Sequence, residues 1–451
     1  MMSWLRIVLA ILGASFVADS FADPLVLGLP EAIEAALTNN VGYSVQRLTA
    51  AQAEAGQRAA RGARWPSVDF TASATEYGYP TFVHGIRQPG VFPPLDDTIN
   101  DLGLAFQLPL YAGGKLMNAI AIADLERNIA VERTRERAQE LVFNVSAVYF
   151  KVQHLEALAR SYRARIESLQ SQQRRIALLR DVGRAAKLDQ LRVSNLVSKA
   201  QYDLLQIENR GREARTALFQ LMGGEQPPRN AVLVRYATTD GHLTDLDALR
   251  EQASTRPDLR IAASQVESAA AREKQARAER LPSVSLVGGY RERSGDAWQF
   301  YDDWSVGLQA RLPLFDGGVR RARIDQAVLA HRQAEKLVTG ARQEAGKQIE
   351  DAWHARAEAD ARLRVSATSF AEATEVLAIE QLKLEQGVGV VTDVLSAETG
   401  VLASQADRLQ AEFDRIVALF GMMRATGELE PSRVAELLVA KPKDLEESEA
   451  P

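Results

Sequence analysis

The chain holds no cysteine in its 451 residues. That removes disulfides, thiolate metal sites, a cysteine nucleophile and lipid attachment through a thiol. Histidine is scarce: His84, His154, His242, His331 and His354 are scattered and unclustered. Basic charge is not in excess, and a formal net charge of -5 disfavours a phosphate-backbone partner, so no nucleic acid is expected. A phosphate-cradling glycine loop and a Gly-x-Ser-x-Gly elbow are missing too, so the expectation is a non-enzyme with no cofactor and no metal. Beyond the N-terminus no continuous apolar run reaches the ~20 residues a spanning helix needs. Proline is absent between Gly113-Gly114 and Val182-Gly183, and again between Gly317-Gly318 and Gln386-Gly387.

What is present begins with an export signal. Arg6 supplies positive charge, Ile7 to Val17 an apolar core, and Ser20-Phe21-Ala22 a small-x-small cleavage site, so residues 1–22 read as a signal peptide. The remainder says nearly the same thing twice. "RWPSVDFTAS" at Arg64 matches "RLPSVSLVGG" at Arg280, and "GLAFQLPLYAGG" at Gly103 matches "GLQARLPLFDGG" at Gly307. "LRDVGRAAKLDQL" at Leu179 faces "KLEQGVGVVTDVL" at Lys383. Shared order over most of the chain implies a tandem duplication. The expected organisation is a first repeat over 23–224, a linker over 225–243, a second repeat over 244–428 and a tail over 429–451.

Each repeat carries two runs with period-two alternation, expected as strands at 67–76 and 102–111, then 283–290 and 304–314. Val68, Phe70, Leu104, Phe106, Val306 and Leu308 lie in the apolar phase; Ser67, Asp69, Gln107, Gln309 and Arg311 lie in the polar one. The pattern weakens at Val287-Gly288-Gly289. The runs have the ~9–11 residue span of a tilted membrane strand. Tyr77, Tyr79, Trp298, Phe300, Tyr301 and Trp304 cluster near the connecting loops, as in an interfacial aromatic girdle. Four strands cannot close a barrel, and open edges in lipid cost several kcal/mol per unpaired group. The chain must therefore assemble, two copies giving eight strands and three giving twelve.

After each strand pair comes a helical pattern of roughly 67 residues, or ~100 Å at 1.5 Å per residue, at 114–182 and 318–386. Leu141, Val145, Val148, Val152, Leu155, Ala159, Tyr162, Ile166, Leu169 and Ile176 follow a heptad seam, so the partner is another helix. Return helices are expected at 188–222 and 391–425, with shorter helices ahead of each strand pair stacked beside the long one.

The motifs "LPLYAGG", "LPLFDGG" and "EQGVGVVTDVLSAE", with "LGLPEAIEAALTNN" after the signal, resemble the TolC family of outer-membrane efflux and secretion channels, from Leu27 to about Gly427. The resemblance implies an α+β membrane protein: a homotrimeric, twelve-stranded transmembrane β-barrel in outer-membrane lipid, continued by a long periplasmic α-helical barrel of coiled coils. It implies passage of substrate from an inner-membrane pump, proton-driven or ATP-driven, through a periplasmic adaptor. It places adaptor contacts at the helix turns, on Gly183, Arg184, Lys187, Asp189, Gly387 and Gly389. It matches Asp393 to an acidic constriction, with Ser396 where a second acid would stand one turn on. Asp189 and Asp393 also open helices, where an acid is favoured by the helix dipole, and the glycines also suit turns with positive φ. The alternative reading is a periplasmic adaptor-like coiled-coil protein of an export system. It would need one helical hairpin and several soluble β-domains.

Overall fold

The computed structural model describes residues 26–182, 186–225, 231–239 and 245–440; the expected signal peptide lies outside them. A short strand β1 (Val26–Leu27) leads into helices α1 (Leu29–Asn39) and α2 (Val41–Gly62). The hairpin β2 (Ser67–Phe82) and β3 (Leu95–Tyr111) follows, then the long helix α3 (Lys115–Asp181) and its return α4 (Lys187–Leu221). Two short strands, β4 (Val232–Leu233) and β5 (Tyr236–Thr238), lie within the expected linker. Next come α5 (Leu246–Gln252), α6 (Pro257–Ala278), the hairpin β6 (Ser283–Ser294) and β7 (Tyr301–Arg311), long helix α7 (Val319–Glu385) and return helix α8 (Val391–Thr426). Residues expected to be tail instead form α9 (Pro431–Leu437) and β8 (Leu438–Ala440). β8 is ordered because it pairs antiparallel with β5, Tyr236 opposite Ala440. The strand expected over 304–314 ends at Arg311, ahead of Pro313, which has no N–H for a ladder. β2, β3 and β6 each extend beyond their expected ends into the loops.

The four long strands make one antiparallel sheet in the order β2-β3-β6-β7. Between the register shifts, even-numbered residues stand opposite one another. One face therefore carries apolar rows across every strand: Phe70, Leu104, Tyr290 and Trp304, then Val68, Phe106, Gly288 and Val306. The weakened alternation at Gly288 has a steric cause. A Cβ there would come within 2.4 Å of the Phe106 ring and 2.8 Å of the Ser305 carbonyl oxygen, so the ring of Phe106 fills the place of a side chain. Pro109 sits inside β3, next to a register shift between Pro109 and Tyr111, where a missing N–H is tolerated.

Each sheet-to-helix join is a double glycine with both residues left-handed: Gly113 and Gly114 at φ 61° and 85°, Gly317 and Gly318 at 66° and 87°. From there α2 and α4 both pack along α3, and α6 and α8 along α7. Seam residues Leu141, Val145, Val152, Leu155, Ala159, Leu169 and Ile176 are buried, facing Val193, Val197, Ala200, Ile207 and Leu218 of α4. Midway along α3 the coil widens into a waist, where Tyr149, Val145, Ile33, Leu218, Phe420, Leu429 and Val434 bring together α1, α3, α4, α8 and α9. The Tyr149 hydroxyl, pushed well up in pKa by burial, donates to the carbonyls of Leu27 and Val234 at 2.9 and 2.7 Å. It thereby ties β1 and the linker to the helix. Among the described residues no helix is long and apolar enough to cross a membrane.

Candidate functional site

The two helical hairpins turn at their ends farthest from the sheet. In the first turn, Gly183 and Arg184 lie outside the described residues. Lys187 opens α4 and is exposed; Asp189, in the first turn of α4, lies 3.7 Å from Arg192. Arg180 crosses the turn, donating to Asp181 at 2.7 Å and to Gln190 at 2.6 Å.

The second turn is built by backbone geometry. The N–H of Gly387 donates to Leu384 and that of Val388 to Lys383, both at 3.1 Å, while Gly387 has φ 77°. This is a Schellman closure, in which a left-handed glycine satisfies the last carbonyls of a helix. Gly389 is required for space: a Cβ would lie 2.8 Å from the Leu384 backbone nitrogen and 3.0 Å from Lys383. Asp393 stands exposed in the first turn of α8, where the N-cap is Val390. It is therefore not the capping residue of α8 and bears on the helix through its charge. Ser396, one turn on, shares its exposed face, whereas Val394, Leu395 and Glu398 face inward.

That inward face holds a group that sequence reasoning missed. Glu398, 5% exposed, pairs with Arg165 of α3, 8% exposed. Its other oxygen accepts from Ser168 at 3.3 Å and from Gln172. Arg165, Ser168 and Gln172 are spaced i, i+3, i+7, a polar stripe beside the apolar seam, and that spacing was a readable signal. Leu395 lies one turn nearer the tip and packs with Leu169, Ile176, Val193 and Val197. Toward the tips, the second hairpin is thus fastened to the first by an apolar and a charged side chain of α8.

At the opposite end, Asp96, Asp97 and Asp296 bring three carboxylates together within 4.8 Å. Asp96 accepts from the backbone N–H groups of Asp97 and Asp296 at 3.0 and 2.8 Å, so it closes the loops between strands.

A β-hairpin pair joined by glycine hinges to helical hairpins about 100 Å long invites comparison with known channels. Residues 32–224 and 248–428 match the family model described as outer membrane efflux protein. The chain belongs to that family. As an outer membrane efflux protein it is similar to SrpC of Pseudomonas putida, a solvent efflux pump outer membrane protein. The two are 26% identical over 426 residues, covering 91% of this chain and 86% of SrpC. It is likewise 26% identical over 430 residues to the outer membrane protein OprJ of Pseudomonas aeruginosa, covering 92% and 85%. Its fold is that of the CmeC outer membrane channel of Campylobacter jejuni, with a TM-score of 0.78 at 16% identity, covering 90% of this chain and 88% of that one. Membership in the outer membrane efflux protein family sets aside the adaptor alternative, as does a single four-stranded sheet feeding two helical hairpins.

Proposed function

We propose that three copies of this chain assemble into a twelve-stranded outer-membrane barrel continued by a periplasmic helical tunnel. The observation that carries this reading is the open sheet. Among the described residues β2 and β7 each pair on one side only, while apolar rows run across all four strands. Lipid leaves no partner for such edges, so β7 of one copy meets β2 of the next. The apolar face meets outer-membrane lipid, and the polar phase lines a water-filled lumen. The two repeats descend from one duplicated unit, a reading supported by α3 and α7 both running 67 residues; residues 23–224 and 244–428 delimit them.

In this reading the chain works as the exit duct of a tripartite efflux or type I secretion system, without enzymatic chemistry of its own. A periplasmic adaptor docks at the turns, on Gly183, Arg184, Lys187, Asp189, Gly387 and Gly389, and an inner-membrane pump loads the tunnel through it. Asp393 narrows the axial opening, with Ser396 the weaker second ring. Adaptor binding favours the splayed state by its greater affinity for it. The test is the mass of the detergent-solubilised protein by light scattering, together with conductance in planar bilayers. Three chains per particle and stable single-channel steps are expected. A detergent-free monomer that conducts nothing overturns the proposal.

A further inference from the structure

The motif at Gly103 in β3 returns at Gly307 in β7, and the motif at Arg64 ahead of β2 returns at Arg280 ahead of β6. β7 is therefore the counterpart of β3, and β2 the counterpart of β6. In the sheet β3 and β6 are the inner pair, while β2 and β7 are the outer strands. The β3–β6 contact joins the second strand of one repeat to the first strand of the next. β7 and β2 present the same two surfaces without each other.

Three differences between the repeats follow that division. First, α6 packs along both α3 and α7 and buries Ile261, Ala262, Ala271 and Ala278. Their counterparts Val45, Gln46, Ala55 and Gly62 lie on α2, where among the described residues none is buried. Second, the glycine hinge after β3 is covered: a Cβ on Gly113 would lie 2.7 Å from Leu281 Cβ and 3.1 Å from the Ala278 carbonyl oxygen. Gly317, its counterpart, has open space around it among the described residues, and Trp65, the counterpart of Leu281, is 75% exposed. Third, Pro109 and Pro313 hold matching positions, yet β3 runs on to Tyr111 because β6 holds it there, Tyr111 opposite Val284. β7 stops at Arg311 and leaves Phe315, the counterpart of Tyr111, 90% exposed.

Resting on the assembly proposed above, we infer that the joint between copies repeats the β3–β6 joint residue for residue. Phe106 opposite Gly288, Leu108 opposite Leu286 and Tyr111 opposite Val284 set the register. Carried over, Ala310 of one copy stands opposite Ala72 of the next, Leu312 opposite Phe70, and Phe315 opposite Val68. Trp65 of the next copy closes over Gly317, and its α2 seats against α7.

The absence of native cysteine gives a clean test in the full chain. Within one chain Ala72 and Ala310 stand on opposite outer strands of the sheet, about 14 Å apart at the usual strand spacing, so a disulfide between them joins two copies. Ala72→Cys with Ala310→Cys is expected to give covalent multimers on non-reducing gels after oxidation. The adjacent polar-phase pair, Ser73→Cys with Gln309→Cys, samples the other class of cross-strand position and is expected to do so in its place or as well. Each single-cysteine variant should remain a single chain. Ala74→Cys with Ala310→Cys is displaced by two residues, about 6.8 Å along the strand, which exceeds the reach of a disulfide, and the product should be lost. Light scattering on each variant separates this register from the assembly itself. Three-chain particles that cross-link at the displaced pair alone, or at no pair, overturn the register and leave the trimer standing. Single-chain particles without product overturn both.

Discussion

Glu398 places a carboxylate inside the coil, and its cost is offset only because Arg165, Ser168 and Gln172 converge on it. Removing one partner of a buried pair leaves an uncompensated charge, a loss of about 3–5 kcal/mol. Glu398→Ala is therefore expected to lower unfolding stability by that order in denaturant titrations. Glu398→Gln, which retains hydrogen-bond acceptance, is expected to lower it less than the alanine change. A second residue-scale prediction concerns His154. Burial foremost, and Lys151 beside it, hold its imidazole below the ordinary 6.5, with the ring against Phe413 and the Leu409 carbonyl. Its native pKa is depressed, so below pH 6.5 the unfolded chain binds a proton that the native state refuses. Stability is expected to hold above pH 7 and to decline between pH 6.5 and 5, by at most about 1.4 kcal/mol per pH unit from this group. His154→Gln should remove that part of the slope in melting temperatures recorded against pH.

At the scale of elements, the second helical turn separates two kinds of glycine. Gly387→Ala puts a Cβ on a left-handed residue in open space and is expected to cost about 1–2 kcal/mol. Gly389→Ala adds a clash with the backbone of Lys383 and Leu384, so its effect should be the larger of the two when both proteins are melted side by side. In the sheet, Val306 and Leu308 lie in the apolar rows of β7. Leu308→Arg is expected to destabilise the folded barrel by about 2–4 kcal/mol if that face meets lipid at mid-depth, whereas a substitution at polar-phase Gln309 should be nearly silent. Equal losses at both positions, read as heat-modifiable mobility on gels, would contradict the facial assignment.

For the whole molecule, the decisive feature is an unfinished sheet at one end and paired helical hairpins at the other. The proposed gate belongs to this scale, because a ring at the axis exists only once copies assemble. Asp393→Ala is expected to raise single-channel conductance and weaken block by cations added from the tip side; unchanged values in both remove Asp393 from the gate. The fastening of α8 to α3 by Leu395 and Glu398 limits how far one hairpin can move without the other within a single chain.

Much of this architecture was legible in the sequence because it is local. Period-two alternation puts like residues on one face of a strand, a heptad seam puts them on one stripe of a helix, and paired glycines mark where one gives way to the other. Sequence motifs were also enough to suggest the family. The tertiary structure decided what depends on distant partners. β3 pairs with β6 about 180 positions away in the chain, and β8 finds β5 within the linker. Phe106 explains Gly288, and Arg165 meets Glu398 across 233 positions. The physical reason is that a side chain's own pattern reports which face it occupies. Which partner it meets there is fixed by the path of the whole chain, and burying a charge is tolerable only where that path supplies the opposite one.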